Sequence, residues 1–264
     1  MTRAAIAALT RRDFELARSY RLAVAFDVGW GLLDLLVYYF ISKIVVPSEA
    51  DLGGAPSYFA FAAAGIVMSI VVTATSSEIA FRLRDEQLTG TLEILCVQPI
   101  RVVDVAVGLT TFPLVFSVVR AAGYLVFAAA ALDLGASDAD WAGVVAMLVT
   151  AGAAFAPIGV LAAAATIAFK RATSVASTIV FGMTLVSGAL FPIDVLPAWL
   201  QTIGKAMPTW FAFEGLRSAL FEGSGWSEDA LWLLVFAAVA MPLAVWLLSV
   251  ALAHARRAGT LSQY

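Results

Sequence analysis

Reactive side chains are scarce in this chain. It has a single cysteine, Cys96, and a single histidine, His254. One cysteine excludes an internal disulfide and an all-cysteine metal site. One histidine removes most zinc sites and the Ser-His hydrolases, and neither H-E-x-x-H nor G-x-S-x-G occurs. A G-x-x-x-x-G-K-[ST] loop is also missing: Gly204-Lys205 lacks the upstream glycine and the following Ser or Thr. The chain therefore offers no cradle for ATP phosphates. Charge is thin as well, at 13% of residues, against about 25% in soluble domains. The stretch 1–21 is basic and lacks an apolar core, so no cleavable signal peptide is expected.

Hydrocarbon is what the chain has. Hydrophobic residues make up 62% of it, and the mean hydropathy is +0.92. About 20 consecutive apolar residues cross a bilayer as a helix. Six runs qualify, at about 22–46, 58–81, 103–132, 141–169, 173–191 and 230–253. The expected fold is thus all-α, one transmembrane domain over 1–264 with six spans. Pro113 in the third run, and Pro157 with Gly159 in the fourth, are expected to kink their helices. Gly29, Gly31, Gly65, Gly152, Gly182 and Gly188 are expected at close helix approaches.

Lys and Arg orient the spans. Twelve fall on one side: five in the N-terminal segment, then Arg82, Arg84, Arg101, Lys170, Arg171, Arg256 and Arg257. The other side holds Lys43, Lys205 and Arg217, with acidic loops at 48–51 and 133–140. Both termini and the 82–101 loop are therefore expected in the cytoplasm. In 3–20, Ile6, Leu9, Leu16 and Tyr20 share one helical face, and Arg11, Arg12, Glu15 and Arg18 surround the other. That pattern suits an amphipathic helix on the inner leaflet, or else a plain basic flank.

Between spans two and three runs Arg82-Leu-Arg-Asp-Glu-Gln-Leu-Thr-Gly-Thr-Leu-Glu-Ile-Leu-Cys-Val-Gln-Pro99. Read as a helix over 82–98, it aligns Leu88, Leu92 and Leu95 in one apolar stripe. Arg84, Asp85, Glu86 and Glu93 supply a polar surface, Gly90 allows close approach or a bend, and Pro99 ends the helix. Such a helix lies on lipid, or seats one face under the bundle and shows the other to a soluble partner.

The acid followed by Thr89-Gly-Thr-Leu-Glu93 and then Pro99 resembles the cytoplasmic loop of type-2 ABC exporter permeases. Phe191-Pro-Ile-Asp-Val-Leu-Pro-Ala-Trp-Leu200, Met207-Pro-Thr-Trp210 and Glu214-Gly-Leu-Arg217 resemble the segment before the last span in that family. The resemblance implies that 82–98 is a coupling helix, with Arg84, Asp85, Glu86, Thr89, Gly90, Thr91 and Glu93 contacting an ATPase. It implies that 192–228 dips into the outer leaflet as short helices. Pro192, Pro197 and Pro208 break that stretch, while Trp199, Trp210, Phe211 and Phe213 suit the headgroup level. Glu214 and Arg217 belong to the same segment. The implied partners are a separate ABC ATPase in two copies, carrying ATP and Mg, and a second permease, identical or homologous. Membrane lipid is a further partner; no nucleic acid and no metal ligand set is expected. The implied location is a bacterial plasma membrane.

Asp27, Asp34, Glu78 and Arg120 fall within or near spans, where a charge marks function by default. Asp27 and Asp34 are seven apart and share a helix face. An Asp34–Arg120 pair is expected, either as a structural lock or on a transport pathway. The apolar and aromatic residues Tyr38, Tyr39, Phe116, Tyr124, Phe155 and Phe181 favour an amphiphilic substrate. The competing reading is a proton-coupled secondary transporter relaying through Asp27, Asp34 and Arg120. Against it, no inverted repeat is visible.

Overall fold

Regular structure in the described residues is entirely helical, as alternation of long apolar runs with short polar ones requires. The computed structural model describes residues 2–44, 52–90, 101–168 and 172–258. In chain order the helices are α1 (Thr2–Ser19), α2 (Arg21–Ser42), α3 (Tyr58–Leu88), α4 (Val102–Ala131), α5 (Trp141–Ala168) and α6 (Ala172–Val186). Then come a 3-10 turn (Ile193–Val195), α7 (Ala198–Ala206), α8 (Pro208–Arg217), a π turn (Ser218–Glu222) and α9 (Trp226–Ala258).

Five of these, α2, α3, α4, α5 and α9, are long and apolar enough to cross a membrane. The sixth expected span is shorter. Helix α6 has 15 residues, which reach about 22 Å at 1.5 Å per residue, less than the ~30 Å hydrocarbon core. It stops at Val186 because Ser187 and Gly188 turn the chain, with Gly188 at φ +80°. The two prolines do not divide their helices: α4 runs through Pro113 and α5 through Pro157. Neighbouring helices make such prolines tolerable in a bundle.

Helix α3 is the hub. Ser57 caps its start by accepting the Ala60 N–H at 3.1 Å. Its first turns carry small residues, Ala60 and Ala62 to Gly65, all buried, with Phe61 buried among them. Small residues let backbones approach, which is how helices gain contact where no water is expelled. A Cβ on Gly65 would collide with the carbonyl of Ala189, and Gly159 admits the backbone of Thr75 in the same way. Gly31 and Gly152 are also contact points, whereas Gly29 and Gly182 face open space. Helices α4, α5, α6, α2 and α8 all pack on α3, and α9 packs chiefly on α5.

Two apolar clusters fill the bundle. The larger joins α3, α4, α5, α8 and α9 around Met68, Leu125, Phe155, Phe213 and Leu220. The smaller joins Ile79, Leu83, Leu109, Val160, Leu248 and Leu252. Asp140 accepts the Ala142 N–H at 3.1 Å and the Trp226 indole N–H at 3.0 Å, so α5 and α9 begin at the same end. The bonds from the Gly143 N–H, and then from Trp226 and Ala142, hold its carboxyl below the ordinary range. The start of α3, the end of α6, and α7 and α8 share that end. Helix α1, the end of α3 and the start of α4 lie at the other.

Candidate functional site

At the α1 end, the first part of the loop helix expected over 82–98 belongs to α3. Residues 82–88 are the last two turns of α3. Thr89 caps them, its N–H and hydroxyl both bonding the Asp85 carbonyl. Gly90 then takes φ +74°, the left-handed conformation that ends helices and favours glycine. Gly90 is thus a terminator rather than a mid-helix residue. Thr91, Leu92, Glu93, Leu95 and Pro99 lie outside the described residues.

Helix α1 docks on this end of the bundle. It presents Leu9 and Asp13, one turn apart and both buried, with Ile6 and Ala17 on the same stripe. Leu9 rests on Gly108, where a Cβ would sit 2.6 Å from its Cδ1. Asp13 accepts from Arg82 at 2.6 Å and from Arg12 at 3.0 Å, and Arg12 donates to Glu86 at 2.6 Å. Burial opposes the Arg12 charge, but Glu86 and Asp13 outweigh it and hold the guanidinium above its ordinary pKa. Leu16 and Tyr20, expected on the apolar face, are exposed. The stripe that docks is rotated toward Asp13, which the sequence reading missed. An acid one helical turn from Leu9, facing two arginines, was the available signal. Glu86 turns inward to Arg12, whereas Asp85 is exposed.

The intramembrane charges meet as well, but in a different pairing. Arg120 donates to Asp27, not to Asp34. Helix α4 has 30 residues and α2 has 22. At 1.5 Å per residue α4 is about 12 Å longer, and its surplus lies at the α1 end. Arg120 therefore sits level with the first two turns of α2. The Tyr124 hydroxyl fixes this register by donating to the Val28 carbonyl at 2.7 Å, with Gly31 making room for its ring.

Asp27, Asp34, Glu78 and Arg120 line one cavity of about 470 Å³ between α2, α3, α4 and α6. Of the six aromatic residues expected to line a pathway, Tyr38 and Phe181 face it. Phe155 is core, and Tyr39 packs edge-on against Phe59. Glu78 also lies 3.7 Å from Arg82, so the cavity wall touches the α1 cluster.

At the opposite end, Pro192 precedes the 3-10 turn, Pro197 precedes α7 and Pro208 opens α8. Trp199 is exposed, but Phe213 is core rather than interfacial. Arg217, expected in the segment dipping into the outer leaflet, is buried. Its Nη2 donates to the carbonyls of Gly188 at 2.8 Å and Ala189 at 3.1 Å. Its guanidinium lies 3.6 Å from the centre of the Phe61 ring. Burial pushes it down to about 10, with Glu214 opposing, so it stays charged at neutral pH.

Among the described residues no group of His, Cys, Asp and Glu could hold a metal. Comparison with curated proteins returns no match. The family model described as ABC-2 type transporter matches residues 5–221, from the docked α1 through the π turn after Arg217. The chain is thus a multi-pass membrane protein that belongs to the ABC-2 type transporter family, whose members are the membrane component and not themselves catalytic.

Proposed function

We propose that this chain is the permease subunit of an ATP-driven exporter. It moves an amphiphilic substrate out of the cytoplasm or inner leaflet of a bacterial plasma membrane. Two copies of a separate ATPase bind ATP and Mg, and a second permease, identical or homologous, completes the pathway. The observation that carries this reading is the family match, which spans both the 82–101 loop and the 192–217 segment in a chain without a phosphate-binding loop. Both termini, α1 and the 82–101 loop face the cytoplasm, in keeping with the twelve basic residues on that side.

In this reading the ATPase meets the segment 84–93. Asp85 and Thr89 are exposed at the tip of α3. Glu86 instead holds α1 in place. Force on the tip passes straight up α3, because the same helix continues into the bundle.

The test is recovery of the tagged chain from its native membrane. An ATPase with a phosphate-binding loop is expected to accompany it, and Asp85→Lys is expected to weaken that association about tenfold, the loss of one charge-assisted contact. ATP turnover by the verified chain alone would overturn the reading.

A further inference from the structure

We propose that the cavity between α2, α3, α4 and α6 binds an amphiphile carrying a protonated amine. This names the substrate class of the permease reading and rests on it.

Three carboxylates and one guanidinium line the cavity. Asp27 is committed to Arg120. Glu78 is partly matched by Arg82 at 3.7 Å, but that guanidinium is shared with Asp13 at 2.6 Å. Asp34 has neither an ion-pair nor a hydrogen-bond partner among the described residues. An ionised carboxylate at membrane depth is costly without a counter-charge. A cation supplied by the occupant removes that cost; a neutral or anionic occupant does not.

The rest of the wall suits the remainder of such a molecule. Ile70, Leu185 and Leu190 line it with Tyr38 and Phe181, and Ser69, Thr73 and Thr184 add hydroxyls. At about 470 Å³ the space suits an organic molecule and leaves a bare metal ion uncoordinated on most sides.

The probe is dansylcadaverine, a primary amine on a sulfonamide-bearing naphthalene. Its comparators are the matching dansyl alcohol and dansyl carboxylate. Binding is read by dansyl fluorescence with the full chain in phosphatidylcholine nanodiscs, against empty nanodiscs. No ATPase is added, so failure here is distinct from failure to recover an ATPase with the chain. The amine is expected to bind about tenfold tighter than the alcohol, with the carboxylate weakest. Asp34→Asn is expected to erase the preference of amine over alcohol, and Asp34→Glu to retain it. Equal affinities for the three probes overturn the proposal, as does a preference that survives in Asp34→Asn. If Asp34→Asn does not fold, the three-probe comparison on the unaltered chain decides.

Discussion

Two arginines show how this protein holds charge inside the bundle. Arg120 reaches an acid on a neighbouring helix, whereas Arg217 has no ion pair among the described residues and uses backbone carbonyls and a ring face. A double-mutant cycle on Asp27→Asn and Arg120→Gln is expected to show coupling of about 1 kcal/mol, since contacting residues couple and separated ones add. The cycle on Asp34→Asn and Arg120→Gln is expected to be additive; unfolding of the purified chain measures both. Arg217→Leu strips the donor from the Gly188 and Ala189 carbonyls. A loss of about 3 kcal/mol is expected, seen as a lower thermal midpoint, because each orphaned buried polar group costs about 1–3 kcal/mol. Had Arg217 been a loop charge, the change would be silent.

These residue partners were the least legible part of the sequence. Counting from the ends of hydrophobic runs gives depth only if all spans begin at one plane. Helix α4 is instead eight residues longer than α2, with the surplus toward α1, which places Arg120 level with Asp27 and not with Asp34. Asp13 is illegible for a related reason: its partners Arg12 and Arg82 come together only when α1 docks on α3. The partners of Arg217 are not legible because the Gly188 and Ala189 carbonyls carry no side-chain signal.

The long helices were legible. Their starts and ends follow hydropathy to within a few residues in α2, α4 and α5. Helix α6 was not, because Ala189 and Leu190 extend the apolar run past the point where Gly188 turns the backbone. The broken segment before α9 was legible too: Pro197 and Pro208 stand just before and at the first residue of α7 and α8, where proline is tolerated. Between elements the tightest fit is that of Gly65 on α3 against Ala189, just after α6. Gly65→Val is expected to destabilise by about 1–3 kcal/mol through overpacking, with lower yield and midpoint. Gly182→Val, in open space on α6, is expected to leave both unchanged.

At the scale of the whole molecule, the cavity and the docked α1 are joined through Arg82. One guanidinium serves two acids, Asp13 on α1 and Glu78 on the cavity wall. A counter-ion divided in this way makes the two equilibria reciprocal: whatever occupancy does to α1, displacement of α1 does to occupancy, by the same factor. A cation near Glu78 returns Arg82 to Asp13 and tightens α1; pulling α1 away gives Arg82 to Glu78 and weakens the cation's hold. Asp13→Asn is therefore expected to lower dansylcadaverine affinity from a distance, and bound amine to slow hydrogen exchange along α1. Detaching a surface helix at one end of the bundle would then eject cargo held within it, with no moving part beyond a single side chain changing its allegiance.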